Sequence, residues 1–221
     1  MPLQLYAHPQ SPFCRSVSMT LSLVGKDHEY KYLDLFAGEQ KSPEFLKINP
    51  QHSVPTLVED DFVLTESRAI AVYVAQKFGT KGQLFPEDLK EQAAVNEKLY
   101  FDTNVLWRSF AEVFAPLAFG GQKEINQDKV TALKEKLQLF DGYFEKTGFV
   151  AGTKDMTVAD ICCLATYTTI QATGTVFVNL EDYPKAQKWV ETCKNKIPDY
   201  EDSNQKGLDI FKKFFHTRTG L

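Results

Sequence analysis

The apolar positions of the first 78 residues switch repeatedly between strand and helix spacing. A short apolar run, 3–6, breaks at Pro9. Ser11 then stands as a helix N-cap, with Pro12 at the first helical position, where a missing N–H costs nothing. Residues 12–24 carry helical spacing. A second strand is predicted around 29–33, and Asp34-Leu35-Phe36-Ala37-Gly38 leads into a short helix near 43–48. Residues 54–58 and 62–64 read as a hairpin across Glu59-Asp60-Asp61. Thr65 is placed to cap a helix through Phe78. In that helix Ile70, Tyr73, Val74 and Phe78 recur at helical spacing, and Gly79 closes it. The order βαβ, then αββα, predicts a mixed sheet with helices against it.

Past a Gly/Pro-punctuated stretch, 79–87, no strand pattern recurs. A long helix is predicted over about 87–114 and another over 127–147, where Val130, Leu133, Leu137, Phe140 and Phe144 step along one face. A third starts at Thr157, with shorter ones near 182–195 and 203–215. Met156-Thr157-Val158-Ala159-Asp160-Ile161 reads as a capping box with a Met156–Ile161 staple. The expected organisation is an α/β domain, 1–80, and an all-helical domain, 88–221.

Composition narrows the class. The 221 residues are 43% hydrophobic, with 17 Phe and 9 Tyr, enough for real cores and an aromatic-lined site. A net charge of −4 with no basic stripe argues against nucleic acid. No apolar run reaches the roughly 20 residues of a membrane span. The first residues lack a secretion signal's charged start and apolar run, so a cytoplasmic protein is expected. The four cysteines form no CxxC pair, and with four scattered histidines no zinc spacing arises. Cys162, Cys163 and Cys193 read as small core hydrophobes.

The candidate chemistry lies in Leu5–Ser16. A strand, a tight loop and a helix N-terminus aim N–H groups and the Ser11 hydroxyl at one spot, which suits an anion such as a thiolate. The same residues also describe an ordinary capped helix.

Five motifs in order resemble the cytosolic glutathione transferases, and most nearly the insect delta and epsilon classes. They are Ser11-Pro12-Phe13-Cys14-Arg15-Ser16, Phe45-Leu46-Lys47-Ile48, Asn49-Pro50-Gln51-His52-Ser53-Val54-Pro55-Thr56-Leu57, Glu66-Ser67-Arg68-Ala69-Ile70 and the Thr157–Asp160 box. The resemblance spans essentially the whole chain. It implies a thioredoxin-like first domain with a four-stranded mixed sheet and an all-helical second domain. It also implies conjugation of glutathione, a co-substrate, to hydrophobic electrophiles, with no separate cofactor or metal. A homodimer is expected by the same analogy.

The resemblance also assigns residues. Glu66, Ser67 and Arg68 stand at a helix N-terminus that suits the γ-glutamyl group. Val54-Pro55 resembles a cis-proline edge that pairs with the tripeptide backbone. Gln51 and His52 suit the glycyl carboxylate. The family's usual second His is Gln40 here, so Gln40 or Lys41 is left to replace it. Ser11 is the expected catalytic hydroxyl, with Tyr6 and Cys14 as rivals. The electrophile side is expected to include Pro12, Phe13, Leu35, Trp107, Phe110, Phe119 and Phe211. Two other readings remain, a glutathione-binding carrier of hydrophobic ligands and a glutaredoxin-like redox protein.

Overall fold

The computed structural model describes residues 2–221. Its first unit comprises β1 (Gln4–Ala7), α1 (Pro12–Leu23), β2 (Glu29–Tyr32), α2 (Pro43–Ile48), β3 (Thr56–Glu59), β4 (Phe62–Leu64) and α3 (Ser67–Phe78). The strands lie in the order β2-β1-β3-β4. β1 runs parallel to β2 and antiparallel to β3, and β3–β4 is the hairpin. A parallel neighbour requires a crossover, which α1 supplies. Leu5 pairs with Tyr30 on one side and Leu57 on the other. β1 is therefore central, and its Leu5 and Ala7 are wholly buried.

Two boundaries move. The hairpin starts two residues later than its pattern, after a Val54–Pro55 bond that is cis. Thr65 does not cap α3. Glu66 takes the N-cap position at φ +67°, with no side-chain cap bond, and the helix starts at Ser67. A positive φ turns the chain from β4 into α3 in one step, so the helix begins just after it.

The second unit comprises α4 (Leu89–Phe101), a π-type segment (Asp102–Trp107), α5 (Arg108–Ala118), α6 (Gln127–Gly142), α7 (Val158–Gln171), α8 (Pro184–Lys194) and α9 (Lys206–Thr219). The single helix expected over 87–114 is thus interrupted by the wider π turn. The helix expected to 147 ends at Gly142 in a short 3-10 turn, Tyr143–Glu145. No described helix is long and apolar enough to cross a membrane.

α7 is buried from Val158 through Ile170, and a helix covered all round must be central. Its capping box forms as its pattern predicts. Cys162, Cys163 and Cys193 are free and buried, and Met156 and Ile161 join the same core. The two units share α1 and α3. Val17, Leu21, Ile70 and Val74 pack on the sheet, while Met19, Ala71 and Ala75 join the helical core. The connector is anchored too: Leu84 and Phe85 are buried, and Val158 N–H donates to the Leu84 carbonyl at 2.9 Å.

Candidate active site

Ser11 sits where β1 gives way to α1. Its backbone N–H donates to the His8 carbonyl at 3.1 Å, and its own carbonyl accepts from Cys14 and Arg15 N–H. Its Oγ accepts from Cys14 N–H at 3.4 Å, as an N-cap oxygen should. That bond uses a lone pair and leaves the hydroxyl proton free to donate. The residue is half-buried, so the hydroxyl has both a fixed position and an open side.

The two rivals are placed differently. Tyr6 O–H reaches back along the strand toward Gln4 Oε1 at 3.4 Å, and its ring packs on Phe45. The hydroxyl therefore points toward the start of β1, away from the end that carries Ser11. Cys14 is buried, and burial pushes its thiol up to about 11. A thiol with that pKa is about 0.01% ionised at pH 7, too little for ready dithiol chemistry.

The second wall is the start of α3. Ser67 is buried, and Arg68 Nη1 donates to its Oγ at 2.8 Å. Arg68 Nη2 pairs with the wholly buried Asp102 of the π segment. Burial works against the Arg68 charge, and the Asp102 carboxylate more than restores it. The guanidinium also lies 4.7 Å from the centre of the Phe13 ring. A fixed cation, a helix N-terminus and a serine hydroxyl thus gather beside the Ser11 helix, an arrangement suited to a carboxylate. Asp102 has no mark in the sequence, because its partner is 34 residues away.

The third wall is the loop before β3. Buried Asn49 organises it by donating to the Ser53 carbonyl and Thr56 Oγ1 and accepting from Gln51 N–H. Gln51 and His52 are exposed beside it, His52 at φ +47°. Gln40 is turned inward: its amide N–H donates to the Leu35 carbonyl at 3.4 Å, and its Oε1 has no protein partner. It presents an acceptor, the wrong polarity for a carboxylate, whereas Lys41 is exposed and cationic.

The aromatic side needs correction at three residues, Phe110, Phe211 and Pro12, which are buried. Phe110 is 0% exposed and stacks on Phe114 in the helical core, so it backs the wall without facing it. Phe211 is buried on the same ring, and Pro12 is buried as well. Half-buried Phe13 and Trp107 meet edge to face at 4.9 Å, and Leu35 is half-buried. Phe119 is 63% exposed. Two residues absent from the sequence-based set belong here: Phe36, 55% exposed, lies 5.2 Å from Phe214, which lies 5.6 Å from Phe119. These rings come from the loop after β2, the end of α5 and α9, three segments that only the tertiary fold brings together.

Comparison with known proteins agrees with this geometry. Residues 1–76 match the glutathione S-transferase N-terminal domain, and residues 104–196 match the C-terminal domain of the same family. A Nilaparvata lugens delta-class glutathione transferase is 40% identical, with 99% of this chain and 100% of that one covered and a TM-score of 0.94. An epsilon-class glutathione S-transferase from housefly, Musca domestica, is 31% identical, covering 98% of each chain, with a TM-score of 0.90. A Bombyx mori glutathione transferase is 32% identical, covering 97% of this chain and 98% of that one, also at 0.90. By its two matched domains and its near full-length likeness to insect transferases, this chain belongs to the glutathione S-transferase family.

Proposed function

We propose that this enzyme joins glutathione through its sulfur to hydrophobic electrophiles, a detoxifying reaction in the cytoplasm, and that Ser11 donates the hydrogen bond that favours the thiolate. The observation that carries this reading is the Ser11 hydroxyl, its oxygen pinned by Cys14 N–H and its proton uncommitted. The γ-glutamyl group goes to Glu66, Ser67 and Arg68, the cysteinyl backbone to Val54 beside Pro55, and the glycyl carboxylate to Gln51 and His52. Lys41 is the better-placed addition to that last contact.

Magnitudes limit what Ser11 contributes. A thiol with pKa about 8.5 is about 3% ionised at pH 7, and lowering it by about two units, roughly 2.7 kcal/mol, raises that to about 75%. The less basic thiolate loses about 6–10-fold in nucleophilicity. Ionisation therefore nets only a few-fold, and most acceleration comes from holding the electrophile beside the sulfur. The half-buried and exposed rings of Phe13, Trp107, Phe119, Phe36 and Phe214 supply that surface. By family likeness a homodimer is expected, and the face of α3 and α4 fits it. A cleft of about 650 Å³ there is lined by Val72, Tyr73, Leu99 and Tyr100, and Tyr100 is 70% exposed.

Titrating bound glutathione by its thiolate absorbance, while following conjugation of a halogenated nitrobenzene, tests the assignment. Ser11→Ala is expected to raise the thiol pKa by about one to two units, the worth of one hydrogen bond to a charged group. Tyr6→Phe is expected to leave it in place. A silent Ser11→Ala removes the serine mechanism. A wild type that binds glutathione but conjugates none of several electrophiles is a carrier.

A further inference from the structure

His8 is a buried histidine in the loop that carries Ser11, and nothing in the proposed chemistry uses it. It is 4% exposed. Its backbone ties the loop at two points: its N–H donates to Cys14 Sγ at 3.5 Å, and its carbonyl accepts from Ser11 N–H at 3.1 Å. Its ring ties a third, with Nδ1 accepting from Gln10 N–H at 3.3 Å. A nitrogen that accepts carries no proton, so the neutral ring holds its hydrogen on Nε2. Tyr32 and Phe36 flank the ring, 5.5 and 5.7 Å away between centres.

We propose that His8 is a positioning residue for Ser11: its neutral imidazole latches the 8–11 loop through Gln10, and protonation of the ring opens that latch. The inference rests on Ser11 as the catalytic hydroxyl. Protonated Nδ1 becomes a donor facing the Gln10 donor, and the two repel. The displaced amide is that of the Pro9–Gln10 peptide, one before the Gln10–Ser11 peptide whose N–H the His8 carbonyl holds, so its movement passes through Gln10 to Ser11. The titratable groups facing His8 are Cys14 of α1, Tyr32 of β2 and Asp34 of the following loop, with Glu39 behind Asp34, whose N–H its carboxylate accepts at 2.7 Å. Asp34 offers the protonated ring an alternative partner.

Burial lowers the His8 pKa, and Asp34 opposes that shift without cancelling it. The sign follows. A ring whose folded pKa lies below its unfolded value is neutral at neutral pH. Its stabilising bond is complete above the ordinary histidine value and is lost as pH falls through the lower folded one.

Nitrogen NMR of the free full-length protein tests the latch without glutathione. The expected neutral ring has an unprotonated Nδ1 and a protonated Nε2, and the Gln10 and Ser11 amide signals move with the ring's midpoint. In His8→Asn, whose side-chain oxygen accepts from the N–H two residues on but does not titrate, that shared midpoint disappears. In activity, His8→Leu strands the Gln10 N–H, and kcat/KM for glutathione falls roughly tenfold. His8→Asn recovers most of that loss, and its acid limb is one proton shallower than that of the wild type. Amides that stay still while the ring titrates, a neutral ring protonated on Nδ1, or an Asn variant no better than the Leu variant each overturn the proposal. Ser11→Ala run alongside separates the two readings: if it is silent, the catalytic link is lost, while a surviving amide co-titration still shows the latch.

Discussion

Asp160 collects hydrogen bonds from three elements. Val150 N–H and Trp189 Nε1–H donate to its Oδ1 at 2.8 and 2.9 Å, and Thr157 N–H and Oγ1–H donate to its Oδ2 at 2.9 and 3.2 Å. The sequence identifies the Thr157 half, because a capping box is local. The Val150 and Trp189 half depends on loop closure and on α8, which no local pattern records. Asp160→Ala strands three buried N–H donors at about 1–3 kcal/mol each, so chemical denaturation is expected to show a loss of about 3 kcal/mol or more. A loss under about 1 kcal/mol would mean that the residue is only a cap. Asp102 is the second such residue. Asp102→Asn leaves the Arg68 guanidinium buried beside a neutral partner, with an expected cost of about 3–5 kcal/mol. The variant is also expected to bind glutathione more weakly, seen as a raised KM, because Arg68 no longer stands fixed over Phe13 and Ser67. An unchanged KM would separate the ion pair from the binding site. Ser11 was legible because its cap, its proline and its helix are sequence neighbours.

Among the elements, α9 meets the Ser11 loop at a glycine. A Cβ on Gly207 would lie 2.2 Å from the Pro9 carbonyl oxygen and 2.7 Å from Arg15 Cδ. The nearest atom is backbone and cannot swing away. Arg15, buried beneath, donates to Asn204 Oδ1 at 2.6 Å and to Thr169 Oγ1 at 2.5 Å, binding α1 to α7 and to the turn before α9. Gly207→Ala is therefore expected to push α9 off the loop, cost about 1–3 kcal/mol and displace Phe214 from Phe36. Thermal unfolding and turnover with bulky electrophiles would both report the shift, and a variant indistinguishable from wild type refutes the close approach. The helix itself was legible from its pattern, but the need for glycine in it was not. The π segment was hidden in the same way. It places Asp102 against Arg68 and Trp107 against Phe13, and its spacing reads like that of any amphipathic helix.

In the whole molecule, the exposed aromatics other than Tyr30 and Tyr32 of β2 fall into two groups. Phe36, Phe119 and half-buried Phe214 cluster at the proposed electrophile side, while Tyr100 and Phe62 lie near the α3–α4 cleft and the edge hairpin. If the second group covers a partner copy, Tyr100→Glu is expected to yield a monomer by light scattering. A wild type that is already monomeric at micromolar concentration would remove the homodimer.

The sequence alone determined the two-part organisation, the mixed sheet, the serine at the helix start and the capping box. Each is written in residues that are neighbours along the chain, where periodicity and capping act. The tertiary structure decided what distance along the chain conceals: Asp102 beneath Arg68, the Phe36–Phe214–Phe119 surface, the retreat of Phe110 into the core and the Gly207 contact with Pro9. Those depend on which faces of α1, α3, α5 and α9 meet. A helix pattern says that a face is apolar, but not which partner covers it, because hydrophobic burial is non-directional and only close packing selects the neighbour.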